Sequence, residues 1–315
     1  MYKGKTLCVV VPAYNEEKLL ARTVTSMPDF VDRIVVVDDR STDGTAAEAR
    51  RLAEDDPRVV LLSHAENQGV GGAIATGYKL ARDEGMDMAA VMAGDGQMDP
   101  ADLPNLCDPV AEEGVDYAKG NRLVYEEAYR VIPRVRFFGN AVLSFLTKIS
   151  SGYWHVADSQ TGYTVISKRA LAAVDWDRMY KRYGQPNDLL VRLNVEDMRV
   201  RDVPVRPVYN IGEKSGFRPR QVLWPISRLL IRMYVWRLWK KYMIRDAHPL
   251  FLFIMVGFLL FGLGFLFFLR LLYLFLSQGQ MPEITLIVFL FTVFLGLQSF
   301  LFGIWMDMDR NKGLR

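Results

Sequence analysis

The chain has 315 residues, 39 Lys plus Arg against 36 Asp plus Glu, and a formal net charge of +3. That length accommodates one substantial α/β domain plus an appendage, and so mild a basic balance names no partner by itself. The two cysteines, Cys8 and Cys107, have neither metal-ligand spacing nor the density of a disulfide framework, which excludes a cysteine-stapled fold and fits a reducing cytosol.

Taken in chain order, Leu7-Cys8-Val9-Val10-Val11 is a short apolar run and predicts a buried strand. Pro12 stops it, too early for a signal peptide, and a helix is expected through about Met27. A second strand, Arg33 to Val37, ends in Asp38-Asp39-Arg40-Ser41-Thr42-Asp43-Gly44-Thr45, and a helix follows over 46–53. Val59 to Leu62 predicts a third strand, and Asn67-Gln68-Gly69-Val70-Gly71-Gly72 is a glycine turn before a helix over 73–82. That turn lacks the spacing of a dinucleotide fingerprint or a P-loop, so it is either a tight connection or a phosphate contact. Strands alternating with helices predict a parallel, doubly wound α/β sheet covered on both faces.

The fourth apolar run ends in Ala93-Gly94-Asp95-Gly96-Gln97-Met98-Asp99-Pro100. Strand ends on one edge of an open α/β sheet are where ligands bind. Asp95 and the Gln97 amide oxygen there are hard donors suited to Mg²⁺ or Mn²⁺ shared with substrate phosphates. A turn in which Asp95 caps the next helix is the structural alternative.

The last quarter of the chain differs in composition. Residues 250–269 and 284–306 carry no charge, and each is long enough to cross the hydrocarbon core as a helix. Spans of about 250–276 and 284–306 are expected, joined by a loop without Lys or Arg. Arg237, Lys240, Lys241 and Arg245 precede the first span, and Arg310, Lys312 and Arg315 follow the second. The positive-inside rule therefore predicts a protein of the cytoplasmic membrane with its N-terminal domain and C-terminus cytoplasmic. Arg270 is expected to snorkel to the far interface or to pair with Glu283. Between Arg218 and Arg245 stand eight Lys or Arg and no acid, interleaved with aromatics, a composition suited to headgroups rather than nucleic acid. Gly257, Gly262, Gly264, Gly296 and Gly303 offer small residues for helix packing in a homo-oligomer.

Together, Val11-Pro12-Ala13-Tyr14-Asn15-Glu16, Asp38-Asp39-Arg40-Ser41-Thr42-Asp43-Gly44-Thr45 and Asp95-Gly96-Gln97 resemble the GT-A nucleotide-sugar fold of glycosyltransferase family 2. Gly120-Asn121-Arg122, Pro133 with Arg136, and Asp158-Ser159-Gln160-Thr161-Gly162-Tyr163 resemble its polyprenyl-phosphate sugar transferases, the dolichol-phosphate mannose synthase type. The resemblance covers roughly residues 5–217. It divides the chain into a GT-A domain over 1–217, basic amphipathic juxtamembrane helices over 218–248, and a membrane hairpin with a short tail over 249–315.

The resemblance implies roles. Pro12, Tyr14 and Glu16 would line the nucleotide base pocket, Asp39 would contact the uridine or guanosine, and Asp38 would support the turn. Asp95 and Gln97 would hold Mg²⁺ or Mn²⁺ against the donor diphosphate, and Arg122 and Arg136 would grip the acceptor phosphate. Asp158 and Asp188 suit sugar hydroxyls, with a helix cap the alternative for Asp188, and Gln160 belongs with them. Lys214 and Ser215 lie in a segment, 209–215, corresponding to a loop that closes over the diphosphate. The implied activity is metal-dependent, inverting transfer from a nucleotide sugar to polyprenyl or dolichyl phosphate. UDP-linked sugars fit, and GDP-mannose stays open.

Three departures qualify the pattern: Ala93 replaces the first acid of the usual Asp-x-Asp, Arg40 replaces the glycine after the paired aspartates, and Asn210 stands near the closing loop's usual Arg. A processive polysaccharide synthase is an alternative, but the Gln-x-x-Arg-Trp motif and larger membrane channel are missing. A non-catalytic nucleotide-sugar binder serving a membrane partner rests only on Ala93.

Overall fold

The apolar runs that open the chain become neighbouring strands. The computed structural model describes residues 1–124, 134–206, 208 and 219–315, with the backbone alone at 134–138, 140 and 219–223. Strands β1 (Leu7–Ala13), β2 (Arg33–Asp38), β3 (Val59–Ser63) and β4 (Met88–Val91) alternate with α1 (Leu20–Thr25), α2 (Thr45–Asp55) and α3 (Val70–Asp83). All four strands pair in parallel, with Val10 standing opposite both Val35 and Val91.

Every residue of β1 is buried. Val9 and Val11 enter the core on one face with Leu20, Val24 and Leu106. Cys8 and Val10 enter the core on the other with Ile74, Tyr78 and Leu189. A strand covered on both faces has no polar side, which is why the sequence shows a run rather than an alternation. Helix α3 approaches β1 through Gly77, where a Cβ would stand 2.3 Å from Val10 Cγ1.

The expected parallel sheet holds for the first four strands, and the later strands make the whole sheet mixed. Seven strands run in the order β3-β2-β1-β4-β6-β5-β7, with β5 at Tyr117–Asn121, β6 at Thr164–Ser167 and β7 at Val200–Pro204. Strand β6 runs antiparallel to β4 and β5, while β5 and β7 are parallel. The excursion over 122–163 brings the chain back from the same edge at which β5 ended, so β6 enters reversed. Val91 and Lys119 both stand opposite Thr164. The ends of β1, β2, β4, β5 and β7 and the start of β6 therefore share one edge. Helices α4 (Leu103–Glu112), α5 (Arg134–Ser151), α6 (Lys168–Ala173) and α7 (Gln185–Val195) cover the sheet or its approaches. On α5, Leu143 is buried with Ile226 and Leu230, whereas Val142 and Phe145 are exposed, so core packing and an outward apolar face coexist on one helix.

The chain forms two compact units, Met1–Tyr234 with Gly313–Arg315, and Val235–Lys312. Helix α8 (Pro219–Arg237) is followed without a break by a π-helical stretch, Leu238–Arg245. In the second unit, α9 (Pro249–Gln278) begins with a His248 side chain accepting from Leu250 N and ends at Gly279, whose φ of +64° suits glycine. Helix α10 (Glu283–Asn311) returns beside it. Both are long and apolar enough to cross a membrane, and only 22% and 17% of their most apolar stretches are buried, unlike core helices of a soluble domain.

Two expectations for this unit are corrected. Arg237 and Lys241 do not face headgroups. Both are wholly buried. Arg237 donates to both Asp307 oxygens (2.9 and 3.0 Å), Lys241 donates to Asn311 Oδ1 (3.0 Å), and Tyr242 donates to Asp307. Buried this way, Arg237 needs the counter-charge that Asp307 on α10 supplies. Trp224, Arg228, Arg232, Trp239, Lys240 and Arg245 are the exposed members of that composition among the described side chains. The small residues are used within the hairpin: a Cβ at Gly257 would meet Gly296 O at 3.3 Å, and one at Gly303 would meet Ile254 Cδ1 at 2.5 Å. Gly264 and Gly296 are similarly filled by the facing helix, and only Gly262 looks onto open space. Arg270 is exposed, and among the described residues it has no ion pair with Glu283.

Candidate active site

The shared sheet edge gathers most of the sequence-predicted residues. After β1, Asn15 adopts φ +58° and ties the turn to its neighbour: Asn15 Oδ1 accepts from Thr42 N (2.8 Å) and Asn15 N donates to Ser41 Oγ (3.0 Å). Pro12 is buried in β1, Tyr14 is 49% exposed, and Glu16 N donates to Thr45 Oγ1 (2.8 Å). Tyr14 is thus an open aromatic face at this turn.

After β2, the paired aspartates divide their work. Asp38 Oδ1 accepts from Ser41 N (3.1 Å), closing the turn. Asp39 is 3% exposed, and its carboxylate accepts from Gln68 N (2.8 Å) and Gly69 N (2.7 Å) and lies 2.7 Å from His64 Nδ1. His64 Nε2 in turn meets Thr76 Oγ1 at 2.9 Å. In this structure Asp39 clamps the glycine turn to the end of β2, leaving that carboxylate little capacity for a further donor. Gly69, at φ +83°, leads directly into α3, so the glycine turn is a tight strand-to-helix connection. Arg40 has φ +60°, the left-handed conformation that a glycine takes at no steric cost. The backbone shape is retained although the glycine is not.

After β4, Asp95 Oδ1 accepts from Gln97 N (3.0 Å), with Gly96 at φ +69° between them. Asp95 does not cap the following helix. Asp99 does, accepting from Ala101 N (2.9 Å). The turn is braced by Gly94 N donating to Pro12 O (3.2 Å) and by Tyr163 Oη donating to Asp99 O (2.9 Å). Both Asp95 and Gln97 stay half-buried.

Glu16 belongs with this turn electrostatically. Burial pushes its carboxyl up to about 7, and the neighbouring Asp95 and Asp43 carboxylates add to that. Mutual repulsion between Glu16 and the neighbouring Asp95 is what a divalent cation would relieve, and Asp95 with the Gln97 side-chain oxygen would give it hard oxygen donors. Among the described residues no cluster of three His, Cys, Asp or Glu forms a cage. The residues fit a cation shared with a ligand rather than one held by protein alone.

The second half of the edge is cationic. Arg122, just past β5, donates from Nε to Asp158 Oδ2 (2.8 Å) and from Nη2 to Oδ1 (3.2 Å). Asp158 is 0% exposed and Arg122 22%, so the cation is the end that a ligand reaches. Lys119 lies behind them in β5, wholly buried, donating to Thr161 O. Burial brings its ammonium down to about 8, against the pull of Asp158 and Asp202. Burial raises Asp202 to about 6, and its Oδ2 accepts from Asn121 Nδ2 (2.9 Å) and Ala157 N (2.6 Å). Gln160 Nε2 donates to Ser159 Oγ (2.7 Å) and Asn187 Oδ1 (2.9 Å).

Two expectations are corrected here. Asp158 is occupied by Arg122 and sealed from solvent, so it positions a cation rather than meeting sugar hydroxyls. Asp188 is not a helix cap, and its buried carboxylate is taken up within the fold rather than turned to sugar hydroxyls. It lies in the first turn of α7, 1% exposed, and accepts from Tyr180 N (2.8 Å) and Arg192 Nε (3.0 Å). Lys214 and Ser215 lie outside the described residues, as does the side chain of Arg136, whose backbone is in the first turn of α5. Sequence reasoning missed His64 and Lys119. A lone charge inside the strand Tyr117–Asn121, just ahead of Gly120-Asn121-Arg122, was the available signal for Lys119.

Comparison with known proteins gives consistent likenesses. The family model described as glycosyl transferase family 2 matches residues 8–174. The UDP-N-acetylglucosamine–dolichyl-phosphate N-acetylglucosaminyltransferase of Methanococcus voltae is 31% identical over 218 residues, covering 65% of this chain and 86% of that one. The undecaprenyl-phosphate mannosyltransferase of Micrococcus luteus is 31% identical over 199 residues, covering 62% and 81%. Among solved structures, glucosyl-3-phosphoglycerate synthase from Mycobacterium tuberculosis in complex with UDP superposes with a TM-score of 0.53 at 23% identity, covering 74% and 80%. That likeness speaks for the mixed-sheet GT-A fold.

Proposed function

The chain belongs to glycosyl transferase family 2, and from that premise we propose that it transfers a sugar from a nucleotide-sugar donor to a polyprenyl monophosphate at a membrane face. Relatives named for dolichyl and undecaprenyl phosphate acceptors support the lipid acceptor, and the Methanococcus voltae relative's name supports a UDP-linked donor. The observation that carries the reading is the convergence at one sheet edge of an acidic donor side, Glu16 and Asp95, and a cationic acceptor side, Arg122.

The chemistry follows from charge. A phosphate monoester has its second pKa near 6, so at pH 7 the acceptor is largely a dianion and already a nucleophile. Placement, not a strong base, is then the requirement. Arg122 and Arg136 hold the acceptor phosphate through forked donors. One acceptor oxygen bonds to the anomeric carbon as the bond from that carbon to the diphosphate breaks on the opposite face, inverting the configuration. Asp95 and Gln97 would hold Mg²⁺ or Mn²⁺, which when bound neutralises charge developing on the departing nucleoside diphosphate. Tyr14 and Pro12 flank the base, and Asp39 keeps the neighbouring turn in place.

Helices α9 and α10 cross the cytoplasmic membrane in this reading, with the catalytic domain and the C-terminus on the cytoplasmic side. An acceptor anchored by about 0.8 kcal/mol per buried CH₂ does not leave the bilayer, so the enzyme must come to it.

Glu16 gives the donor side a pH dependence. Its carboxyl, raised to about 7, is protonated in the free protein at mildly acid pH. Its contribution to stability is full below the ordinary carboxylate range and is lost as pH rises through about 7. A cation binds the ionised form, so Mn²⁺ affinity measured with UDP present should tighten between about pH 6 and 8, and Glu16→Gln should flatten that profile. An unchanged slope in Glu16→Gln would remove Glu16 from the donor side.

The assay that tests the whole reading supplies purified full-length protein with radiolabelled UDP- and GDP-sugars, undecaprenyl or dolichyl phosphate, and Mg²⁺ or Mn²⁺. A labelled lipid monophosphate sugar is expected. Polymer would favour a processive synthase, and nucleotide binding without any product would reduce the chain to a binder.

A further inference from the structure

The outer face of α10 carries a polar residue where a single membrane helix has no use for one. Helix α10 turns Thr285, Thr292, Gly296, Ser299 and Gly303 inward, buried against α9. Opposite them, Ile287, Phe291, Phe294, Gln298, Leu301 and Trp305 are all exposed. Their spacing alternates four and three residues, the heptad seam of a helix that packs along a partner. Five of the six are large and apolar. The sixth is an amide.

Gln298 lies deep. At 1.5 Å per residue it is about 22 Å along the axis from Glu283 and about 14 Å from Asp307, so about 5 Å from the midpoint between these end charges. A Gln side chain is too short to reach either interface from there. Among the described residues Gln298 has no hydrogen-bond partner. Ser299, its neighbour, donates to Phe253 O (2.9 Å) across the hairpin and needs none. An amide in hydrocarbon without a partner is costly, and lipid tails cannot supply one.

We propose that this seam is the contact face of a homodimer, with Gln298 of each copy hydrogen-bonded to Gln298 of the other. Two copies inserted with the same topology are related by a two-fold axis along the membrane normal, so a residue near the axis meets itself at the same depth. An amide suits that meeting because it both donates and accepts. A single polar residue in an apolar seam is also the device that fixes register and partner number. The hollow of about 370 Å³ beside Phe294, Gln298, Leu301 and Trp305 gives the partner's rings somewhere to enter. Four of the five glycines, Gly257, Gly264, Gly296 and Gly303, are consumed inside the hairpin and are not the association surface. The proposal rests on α9 and α10 spanning a membrane and is independent of which sugar is transferred.

The test uses the full-length chain in phosphatidylcholine–phosphatidylglycerol vesicles, with dimer fraction read by single-molecule photobleaching across a protein-to-lipid dilution series. Wild type should dimerise. Gln298→Leu should weaken association about three- to thirty-fold, and Gln298→Asn should largely keep it. Gln298→Cys should cross-link on oxidation while Leu259→Cys, exposed on α9, should not. Cys8 and Cys107 are buried and give no background. Wild type monomeric at every density, or Gln298→Leu dimerising unchanged, overturns the proposal. So does labelling of the seam by a photoactivatable prenyl chain with association unaffected, which would make the hollow a lipid site. Release of the chain from membranes by alkaline carbonate would instead remove the spanning premise, leaving the transfer assay untouched.

Discussion

Replacing Asp95 with Asn is expected to lower kcat/KM for sugar transfer by at least about a thousandfold, or roughly 4 kcal/mol of transition-state stabilisation. Asn is the informative substitution because the turn survives it. Asp95 Oδ1 accepts from Gln97 N at 3.0 Å, and an Asn carbonyl oxygen can accept the same bond. What is lost is the one acid of this turn that faces the donor side, since Ala93 supplies none. The protein contribution to cation binding is correspondingly small, so Mn²⁺ should bind weakly to the protein alone and markedly better with UDP present. By reciprocity UDP should bind better with Mn²⁺ by the same factor, which titration calorimetry reads in both directions. An Asp95→Asn protein that melts like wild type, binds UDP equally with and without Mn²⁺, and transfers no sugar would fit this account. Full activity in that variant would remove the metal assignment.

Strands β1, β2 and β4 were legible because both of their faces are buried, while β3, at the sheet edge, is half-buried yet still reads as an apolar run. A strand such as β1 has no choice but to be apolar throughout; it runs on through Pro12 to Ala13, where the polar turn beginning at Tyr14 marks the site edge, as Asp38 does for β2. The later strands hide for the opposite reason. β5 carries Lys119 and Asn121, and β7 carries Arg201 and Asp202, because these strands support a charged cluster as well as a core. β6 is four residues long and antiparallel, and nothing local in Thr164-Val165-Ile166-Ser167 says where in the sheet it inserts. The site shows the same division. Asp95 and the acidic turn after β2 announce themselves by sitting at the ends of apolar runs. The pairing of Arg122 with Asp158, thirty-six positions apart, and of Asp39 with His64 depends on register, which periodicity does not encode. The hairpin glycines were seen as association residues for a related reason. Small residues announce close helix packing but not which helix arrives.

Asp158 and Arg122 form the pair whose disruption should separate architecture from substrate contact. Burial pushes the Asp158 carboxyl up, yet Arg122 and Lys119 outweigh it and hold the group below the usual carboxylate range. Its contribution to stability is therefore present above that range and is lost only as pH falls through the depressed value. Asp158→Asn leaves Arg122 without its anion and buried Lys119 with Asp202 alone, and is expected to cost about 3–5 kcal/mol of stability, seen as a lowered melting temperature in detergent. Arg122→Lys makes a different prediction. It keeps the charge facing Asp158 but loses the fork that can engage a carboxylate and a phosphate together. A charge-assisted bond of about 1.5–3 kcal/mol to the lipid phosphate corresponds to a rise of roughly ten- to a hundredfold in acceptor KM, with donor KM within about twofold of wild type. Equal increases in both constants would mean that Arg122 serves the fold or the donor instead. If Arg122→Lys keeps wild-type kinetics while Asp158→Asn still melts early, the pair is structural alone, and the acceptor phosphate must be held by cations elsewhere on the edge, Arg136 first among them.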